Sequence, residues 1–234
     1  LKRSKSFRQT SASYRLLLIG FIALSSMAQA QEIFRISGKF SVKARSDSAS
    51  HLSLGHLYYE HREKLLIYEL SFPQEQTWVF SHTSIMRFAG DSLLERQRAP
   101  AIADFSVFNL ALQNKLSNYG LAKSLYELSE VEQKDSAVIS TWRPPEMLKD
   151  LFGAVYISAQ NKKLRAMVFT DPEGKPLRKQ FIRKYQLLRG VPLPVEILDI
   201  LYFGDEKSYQ ITVYEEIKIN DEAAQSSFRH RLER

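Results

Sequence analysis

The sequence predicts an α+β fold, a single domain built on a strongly curved antiparallel β-sheet with one or two helices covering its concave apolar face. Short segments alternate apolar and polar side chains over most of the chain, which is typical of half-buried strands. Turn chemistry such as "DPEGKP" separates these segments at hairpin spacing. One central stretch instead repeats its apolar residues at helical spacing.

The first 30 residues have the pattern of a secretory signal peptide. "LKRSKSFRQTSASYR" is basic, "LLLIGFIAL" is a short apolar run, and Ala28-Gln29-Ala30 fits a small-x-small cleavage site. We therefore expect cleavage after Ala30 and an exported, soluble protein, located in the periplasm if the cell is Gram-negative. The predicted boundaries are 1–30 for the signal peptide, 31–220 for a single domain and 221–234 for a polar tail.

The charge of the chain does not indicate nucleic-acid binding. The formal net charge is +7, but residues 1–30 hold five of the 33 basic residues and no acidic one. The remainder is nearly neutral and has no long basic tract with interleaved aromatic residues, so we expect no nucleic-acid partner. The sequence contains no Cys, so the exported domain has to derive its stability from its core without disulfides.

Strands are predicted on both sides of the central stretch. In "IFRISGKFSVKAR", Phe34, Ile36, Phe40 and Val42 alternate with polar residues. "LGHLYYE", "KLLIYELSF", "TWVFSH" and "SIMRFAG" follow, and the second half continues in the same way from "YELSEVEQ" to "YQITVYEEIKIN". We expect roughly ten strands in an antiparallel meander, and a sheet of that length curls or closes.

The central stretch "DFSVFNLALQNKL" predicts a helix. Asp104 is the predicted N-cap and Gly120 the predicted terminator. The concave face of a curled sheet is the place available for its apolar stripe. That stripe consists of Phe105, Phe108, Leu112 and Leu116.

No motif in the sequence points to catalysis. It has no G-x-S-x-G elbow, P-loop, G-x-G-x-x-G or H-E-x-x-H pattern. His51, His56 and His61 recur every five residues, a spacing that puts neighbours on opposite faces of a strand, so surface imidazoles are favoured over a metal site. We expect neither an enzyme nor a cofactor or metal.

Several segments, in their order along the chain, resemble one family. Gly55-x-Leu57-x-Tyr59 with Lys64-Leu65, Tyr68 and Pro73 is similar to the family's second and third strands. "TWVFSHTSIMRFAG" resembles the following hairpin, and "FSVFNLALQNKLSNYGLAKSLYELSEVEQ" the central helical insertion. "LRAMVFTDPEGKPLRKQFIRKYQLLRGVPLPVEI" is similar to its late strands. The family is that of the periplasmic outer-membrane lipoprotein carrier proteins (LolA-like), whose fold is shared by the lipoprotein receptor LolB.

The resemblance implies an unclosed half-barrel capped by helices, with a hydrophobic cavity that shields the acyl chains of a lipoprotein crossing the periplasm. The implied partners are acylated lipoproteins or other lipid cargo, an inner-membrane release complex and an outer-membrane acceptor. We expect a monomer.

The sequence departs from the family at the lid. The family's arginine in an R-P pair, which contacts the helical lid, would fall on His61 or Arg62, and no proline follows. The resemblance therefore implies that one of these two residues gates the lid. The amphipathic helix that precedes the family's first strand has no counterpart between Gln31 and Phe34.

The resemblance also implies which side chains line the cavity. By periodicity alone, each of them is more often a core residue than a ligand contact. Lipid affinity needs no specific residue, because burial stabilises an acyl chain by roughly 0.8 kcal/mol per methylene. The predicted lining consists of Leu57, Tyr59, Leu66, Tyr68, Leu70, Trp78, Phe80, Met86, Phe88, Phe105, Phe108 and Leu112.

Three functional classes remain open at this point. The first is a transport carrier that shields lipid. The second is a non-enzymatic scaffold that uses the same half-barrel to bind a polypeptide. A lipid-modifying enzyme comes third, since no catalytic constellation supports it.

Overall fold

The chain forms one antiparallel β-sheet of 13 strands in a computed structural model that describes residues 34–46, 49–99 and 106–221. The predicted signal peptide, Phe105 and the tail beyond Asp221 lie outside the described residues. The strand order is β6-β5-β4-β3-β2-β1-β13-β12-β11-β10-β9-β8-β7, so β6 and β7 are the edges and the sheet is not closed. The predicted curved, unclosed antiparallel sheet is therefore confirmed. Its strands are β1 (Arg35–Arg45), β2 (Ser50–Glu60), β3 (Leu65–Phe72), β4 (Gln76–Phe80), β5 (Ser84–Ala89), β6 (Ser92–Arg98), β7 (Glu127–Lys134), β8 (Ala137–Arg143), β9 (Val155–Gln160), β10 (Lys163–Thr170), β11 (Pro176–Leu188), β12 (Val191–Phe203) and β13 (Glu206–Ile219).

The strand count exceeds the roughly ten expected from turn spacing, and β6 is the strand that the sequence pattern missed. All seven of its residues are exposed, and among the described residues β6 pairs with β5 alone. Its sequence, SLLERQR, has two adjacent leucines and no apolar alternation that would reveal a strand. The missing alternation explains the omission better than edge position does, because edge strand β7 is equally exposed and was predicted from the sequence.

Gly55 lets β2 pass close to β3. A Cβ atom added at Gly55 would lie 2.0 Å from the carbonyl oxygen of Glu69, so only glycine fits between the two backbones. The pairing register shifts between Leu54 and Gly55, as at a β-bulge, which bends a strand and increases its twist. The local bend of the sheet therefore depends on a missing side chain.

The predicted helix is shorter than expected. Helix α1 spans Val107–Leu112 and Ser106 is its N-cap, with the Ser106 hydroxyl accepting from the backbone N–H of Asn109 at 3.2 Å. Asp104, the predicted N-cap, lies outside the described residues. The helix ends because Asn114 adopts a left-handed conformation (φ 54°), well before Gly120.

This C-terminus of α1 has the pattern of a Schellman motif. The N–H of Lys115 bonds to the carbonyl of Leu110 at 2.8 Å, and that of Asn114 to the carbonyl of Ala111 at 3.1 Å. Two 3-10 turns follow, Leu116–Asn118 and Leu121–Lys123. Within the described ranges, no helix is both long enough and apolar enough to cross a membrane.

The main core lies between the concave face and the helical segment. Phe108, Leu110, Leu116 and Leu121 from that segment pack with side chains of the sheet such as Leu57 in one buried cluster. A second, smaller cluster of Leu65, Ile67 and Val79 lies on the opposite face, since successive side chains of a strand point to opposite faces. The helical segment therefore covers one face only.

Candidate functional site

A cavity of about 400 Å³ lies between the concave face of the sheet and α1. Strands β1 to β4 and β11 to β13 contribute to its walls, together with α1 and the residue after the first 3-10 turn. Its lining divides into an apolar and a polar set. The apolar set is Phe40, Val42, Leu66, Tyr68, Leu70, Trp78, Phe80, Val107, Phe108, Tyr119, Ile197 and Tyr214, and the polar set is Ser53, Ser106, Arg178, Gln180, Asp199, Gln210 and Thr212.

Aromatic rings from β1, β3 and β4 form the apolar wall. Tyr68 meets Phe40 edge-to-face with centroids 5.0 Å apart, and Phe80 likewise at 5.9 Å. Phe80 in turn stacks on Trp78 at 6.4 Å. Interlocked rings of this kind hold one another in place, so this wall presents a fixed apolar surface to whatever enters the cavity.

Two tyrosine hydroxyls meet inside this wall. The hydroxyl oxygens of Tyr68 and Tyr214 lie 3.1 Å apart and form a hydrogen bond. Burial raises the pKa of Tyr68 and raises that of Tyr214 well above its usual value. Both rings are therefore neutral near pH 7, and their polar ends satisfy each other rather than facing the cavity as charges.

Helix α1 provides the opposite wall. Phe108 stacks on Tyr59 with centroids 5.9 Å apart and meets Tyr214 edge-to-face at 5.1 Å. The hydroxyl of Tyr59 donates to Oδ1 of Asn109 at 2.9 Å, and both residues are buried. These two aromatic contacts and this hydrogen bond thus hold α1 on the sheet at the border of the cavity.

The polar set is concentrated on β11, β12 and β13. Gln180 pairs with Asp199 across β11 and β12, and Asp199 pairs with Gln210 across β12 and β13. The guanidinium Nε of Arg178 donates to Oδ1 of Asp199 at 2.7 Å, and Nε2 of Gln180 donates to the same oxygen at 2.9 Å. Asp199 is thus a buried carboxylate held by two donors.

Arg178 and Asp199 form an ion pair with only one member largely buried. The side chain of Asp199 is 8% exposed and that of Arg178 is 38% exposed. Burial by itself would lower the pKa of Arg178, but the hydrogen bond and the charge of Asp199 outweigh it and hold that pKa above its usual value. The pair contributes no net charge to the cavity.

The predicted lining residues fall into four groups in the structure. Leu57 and Tyr59 are fully buried in the core, and Leu112 is partly buried against it, none of them in the cavity lining. Met86 and Phe88 lie on the other face, and Phe105 lies outside the described residues. The predicted residues that do line the cavity are Leu66, Tyr68, Leu70, Trp78, Phe80 and Phe108.

The placement of Met86 and Phe88 corrects the expectation that they face the cavity. Met86 pairs with Val79, and Phe88 with Thr77. Directly paired residues share a face, and Trp78 and Phe80 alternate with Thr77 and Val79 along β4. Met86 and Phe88 therefore pack against the second cluster on the convex face.

The two residues considered for lid gating lie in the turn after β2. Nδ1 of His61 lies 3.2 Å from the hydroxyl oxygen of Tyr59, which bonds to Asn109 of α1. The Arg62 guanidinium lies over the ring of Phe34, 5.2 Å from its centroid, and the Arg62 backbone N–H donates to a carboxylate oxygen of Glu60 at 3.3 Å. His61 is thus connected to the helix through one intervening side chain.

Sequence reasoning missed the polar side of the cavity. Asp199 interrupts the apolar residues Ile197 and Leu201 on the inner face of β12. An acidic residue at a core-facing position is a signal for a paired buried charge. Its partners on β11 and β13 become apparent only from the strand register.

Comparisons with known proteins bear on the fold. The chain matches no protein-family model, and no curated protein sequence matches it. Among solved structures it is similar to a LolA superfamily protein from Nitrosomonas europaea (TM-score 0.55, 14% identity, covering 85% of this chain and 94% of that one). It is also similar to a DUF1329 family protein from Desulfovibrio piger (TM-score 0.60, 11% identity, covering 92% of this chain and 98% of that one).

A third similar structure is an "outer membrane lipoprotein-sorting protein domain" from Vibrio parahaemolyticus (TM-score 0.59, 12% identity, covering 91% of this chain and 96% of that one). The chain therefore has a LolA-like fold. At identities between 11% and 14% these likenesses show the fold alone, and function has to be argued from the site.

Proposed function

We propose that the chain is an exported carrier that holds an acyl chain of a lipoprotein, or of a similar lipid, in the cavity and shields it during transport to the outer membrane. The observation that carries the proposal is a cavity of about 400 Å³ that lies between an aromatic wall and a short helix. That volume falls within the roughly 300–1,000 Å³ of typical ligand cavities. Burial of the chain would provide the affinity, at roughly 0.8 kcal/mol per methylene.

The remaining parts of the proposal concern the compartment and the partners. The signal-peptide pattern of residues 1–30 supports export, and the periplasm is the compartment in which such cargo needs shielding from water. The carrier would receive its cargo from an inner-membrane release complex and deliver it to an outer-membrane acceptor. It would act as a monomer and catalyse no reaction.

The test uses residues 31–234 and lipid vesicles that contain a fluorescent, N-terminally acylated peptide. After incubation, flotation separates vesicles from protein. The proposal predicts that acylated peptide moves from the vesicle fraction to the protein fraction, and that the same peptide without its acyl chain shows no association with the protein. Retention of the acylated peptide in the vesicles at all protein concentrations would contradict it.

A scaffold that binds a polypeptide is the second candidate, and edge strand β7 favours it. All eight residues of β7 are exposed, and within the described part of the chain β8 is its single neighbour in the sheet. An open edge offers backbone groups to which an extended peptide can add as a further strand. This alternative predicts that the peptide binds in the same assay whether or not it is acylated.

A further inference from the structure

One end of the cavity is polar, and the lining becomes apolar with distance from it. Gln180, Asp199 and Gln210 form one cross-strand row on the inner face of the sheet. The next row mixes apolar Ile197 and Val42 with polar Thr212 and Ser53. The aromatic wall begins beyond that row. A ligand that fits this gradient has a polar head and an apolar chain.

The amide of Gln180 has an unused acceptor at this polar end. Gln180 is 4% exposed, and its Nε2 donates to Oδ1 of Asp199 at 2.9 Å. Its Oε1 is buried and has no hydrogen-bond partner among the described residues. Leaving a buried carbonyl oxygen unpaired is costly, so such groups normally have a partner.

The orientation of this amide is fixed by its neighbour. Exchanging Oε1 and Nε2 would place one acceptor against another at Asp199 and leave the amide N–H₂ group without the carboxylate. Gln180 therefore presents an oxygen, and the missing partner has to be a hydrogen-bond donor.

The charges at this end favour a neutral head. Arg178 and Asp199 already neutralise each other in a 2.7 Å ion pair. A second anion would compete with Asp199 for Arg178, and a second cation would compete with Arg178 for Asp199. A hydroxyl or an amide N–H supplies the required donor without adding a charge that would need its own partner.

We propose that the row of Gln180, Asp199 and Gln210 is a head-group site, at which a neutral hydroxyl or amide N–H of an acylated ligand donates to Oε1 of Gln180 while the chain extends toward the aromatic wall. This site rests on the proposed function, because it requires an acyl chain in the cavity. It adds a requirement that chain burial alone does not make, namely a donor beside the first carbons of the chain.

The test compares three probes with the same acyl chain. Monolauroylglycerol carries hydroxyl donors, lauramide carries an amide N–H donor, and methyl laurate carries none. Affinities for residues 31–234 are measured by displacement of a fluorescent fatty acid ester. We expect at least one donor-bearing probe to bind about tenfold more tightly than methyl laurate, which is the effect of one buried hydrogen bond.

A variant assigns the preference to Gln180. Gln180→Met preserves the length of the side chain and replaces the amide by a thioether, a weak acceptor. It should bind all three probes with nearly equal affinity and retain affinity for methyl laurate. Gln186→Met, an exposed position on the same strand, should retain the tenfold preference.

The outcomes separate the two proposals. Equal affinity of wild type for all three probes would overturn the head-group site and leave the carrier proposal standing. Because this comparison uses wild type alone, it tests the head-group site even if Gln180→Met fails to fold. Absence of binding by any probe would overturn both. Preference for both donor probes would indicate that the donor itself is recognised, and preference for one would identify it as hydroxyl or amide.

Discussion

The hydroxyl of Tyr59 donates a 2.9 Å hydrogen bond to Oδ1 of Asn109 and so connects β2 to α1 inside the core. Nε2 of Gln113 donates to the same oxygen at 2.8 Å, so Oδ1 accepts from both the sheet and the next turn of the helical segment. Because the Tyr59 proton is used in this bond, His61 interacts with the hydroxyl oxygen as a donor through Nδ1 at 3.2 Å. This chain of polar contacts determines where the short helix lies over the cavity.

Replacing Tyr59 by Phe should loosen that connection. We expect Tyr59→Phe to lower the free energy of unfolding by about 1–2 kcal/mol, since buried Asn109 loses one hydrogen-bond partner while the ring packing is preserved. Urea unfolding measures the change. Tyr156→Phe, on β9 at a position 37% exposed, is the matched control and should change stability by less than about 0.5 kcal/mol. Equal losses of unfolding free energy in the two variants would show that the hydrogen bond of the Tyr59 hydroxyl does not stabilise the fold.

A charge on the inner face of the sheet should prevent lipid binding, and a charge on the outer face should not. Phe80 lines the cavity, and Phe88 is similarly half-buried on the neighbouring strand but faces the other way. Phe80→Asp places a carboxylate among the aromatic rings and should abolish retention of a fluorescent acyl probe, because desolvating the charge opposes burial of the chain.

The paired control is Phe88→Asp. It should retain the probe with an affinity within about threefold of wild type, a difference of roughly 0.7 kcal/mol. Circular dichroism establishes that both variants are folded. Loss of binding in both variants, or in neither, would contradict the assignment of the cavity to one face.

The close approach at Gly55 predicts a large cost for the smallest side chain. Gly55→Ala places a Cβ atom 2.0 Å from the Glu69 carbonyl oxygen unless the backbone moves. We expect a loss of about 3 kcal/mol or more in the free energy of unfolding, comparable with other strongly disruptive single substitutions. Ser50→Ala, at an exposed position of the same strand, should cost less than about 0.5 kcal/mol. An unchanged free energy of unfolding in Gly55→Ala would show that β2 and β3 can separate at little cost.

The burial of Tyr185 predicts a stability change in alkaline solution. Its hydroxyl donates to the carbonyl of Leu164 at 2.6 Å, and burial raises the pKa of Tyr185 to about 12. In the unfolded chain a tyrosine ionises near pH 10, so between about pH 10 and 12 the folded state retains a proton that the unfolded state has released. The free energy of unfolding should therefore fall as the pH rises through this window.

Urea unfolding at a series of pH values checks this sign. In that window, the free energy of unfolding of Tyr185→Phe should fall less steeply with pH than that of wild type, by up to about 1.4 kcal/mol per pH unit, the value for one proton. Below about pH 9 the two pH dependences should be parallel. Tyr68 and Tyr214 have raised pKa values as well, so part of the slope should remain. Identical slopes would indicate that Tyr185 ionises alike in both states.

The sequence predicted the sheet well wherever one face of a strand is buried. Ile36, Phe40 and Val42 alternate with polar residues, and the structure places them on the inner face of β1. It failed at two places where the apolar pattern does not report the structure. Strand β6 has two adjacent leucines and no apolar alternation. Helix α1 ends after Leu112, because left-handed Asn114 and two capping hydrogen bonds override the apolar period.

The cavity was predictable only in part because faces and partners depend on register. Alternation groups Trp78 with Phe80 and Met86 with Phe88, but only the pairing of Met86 with Val79 determines that the second pair points away from the cavity. Predicting the polar row would have required the register of three strands. Gln180, Asp199 and Gln210 lie far apart in the sequence, and the bulges in β11 determine the pairing of β11 with β12.

The central claim is that the cavity holds an acyl chain, and native mass spectrometry tests it most directly. The protein is purified from the periplasm without detergent, and its intact mass is compared with its mass after organic extraction. We predict a bound acylated peptide or phospholipid that disappears on extraction and is absent from Phe80→Asp but present in Phe88→Asp. A mass equal to that of residues 31–234 alone, unchanged after mixing with acylated peptide and with phospholipid, would contradict the claim.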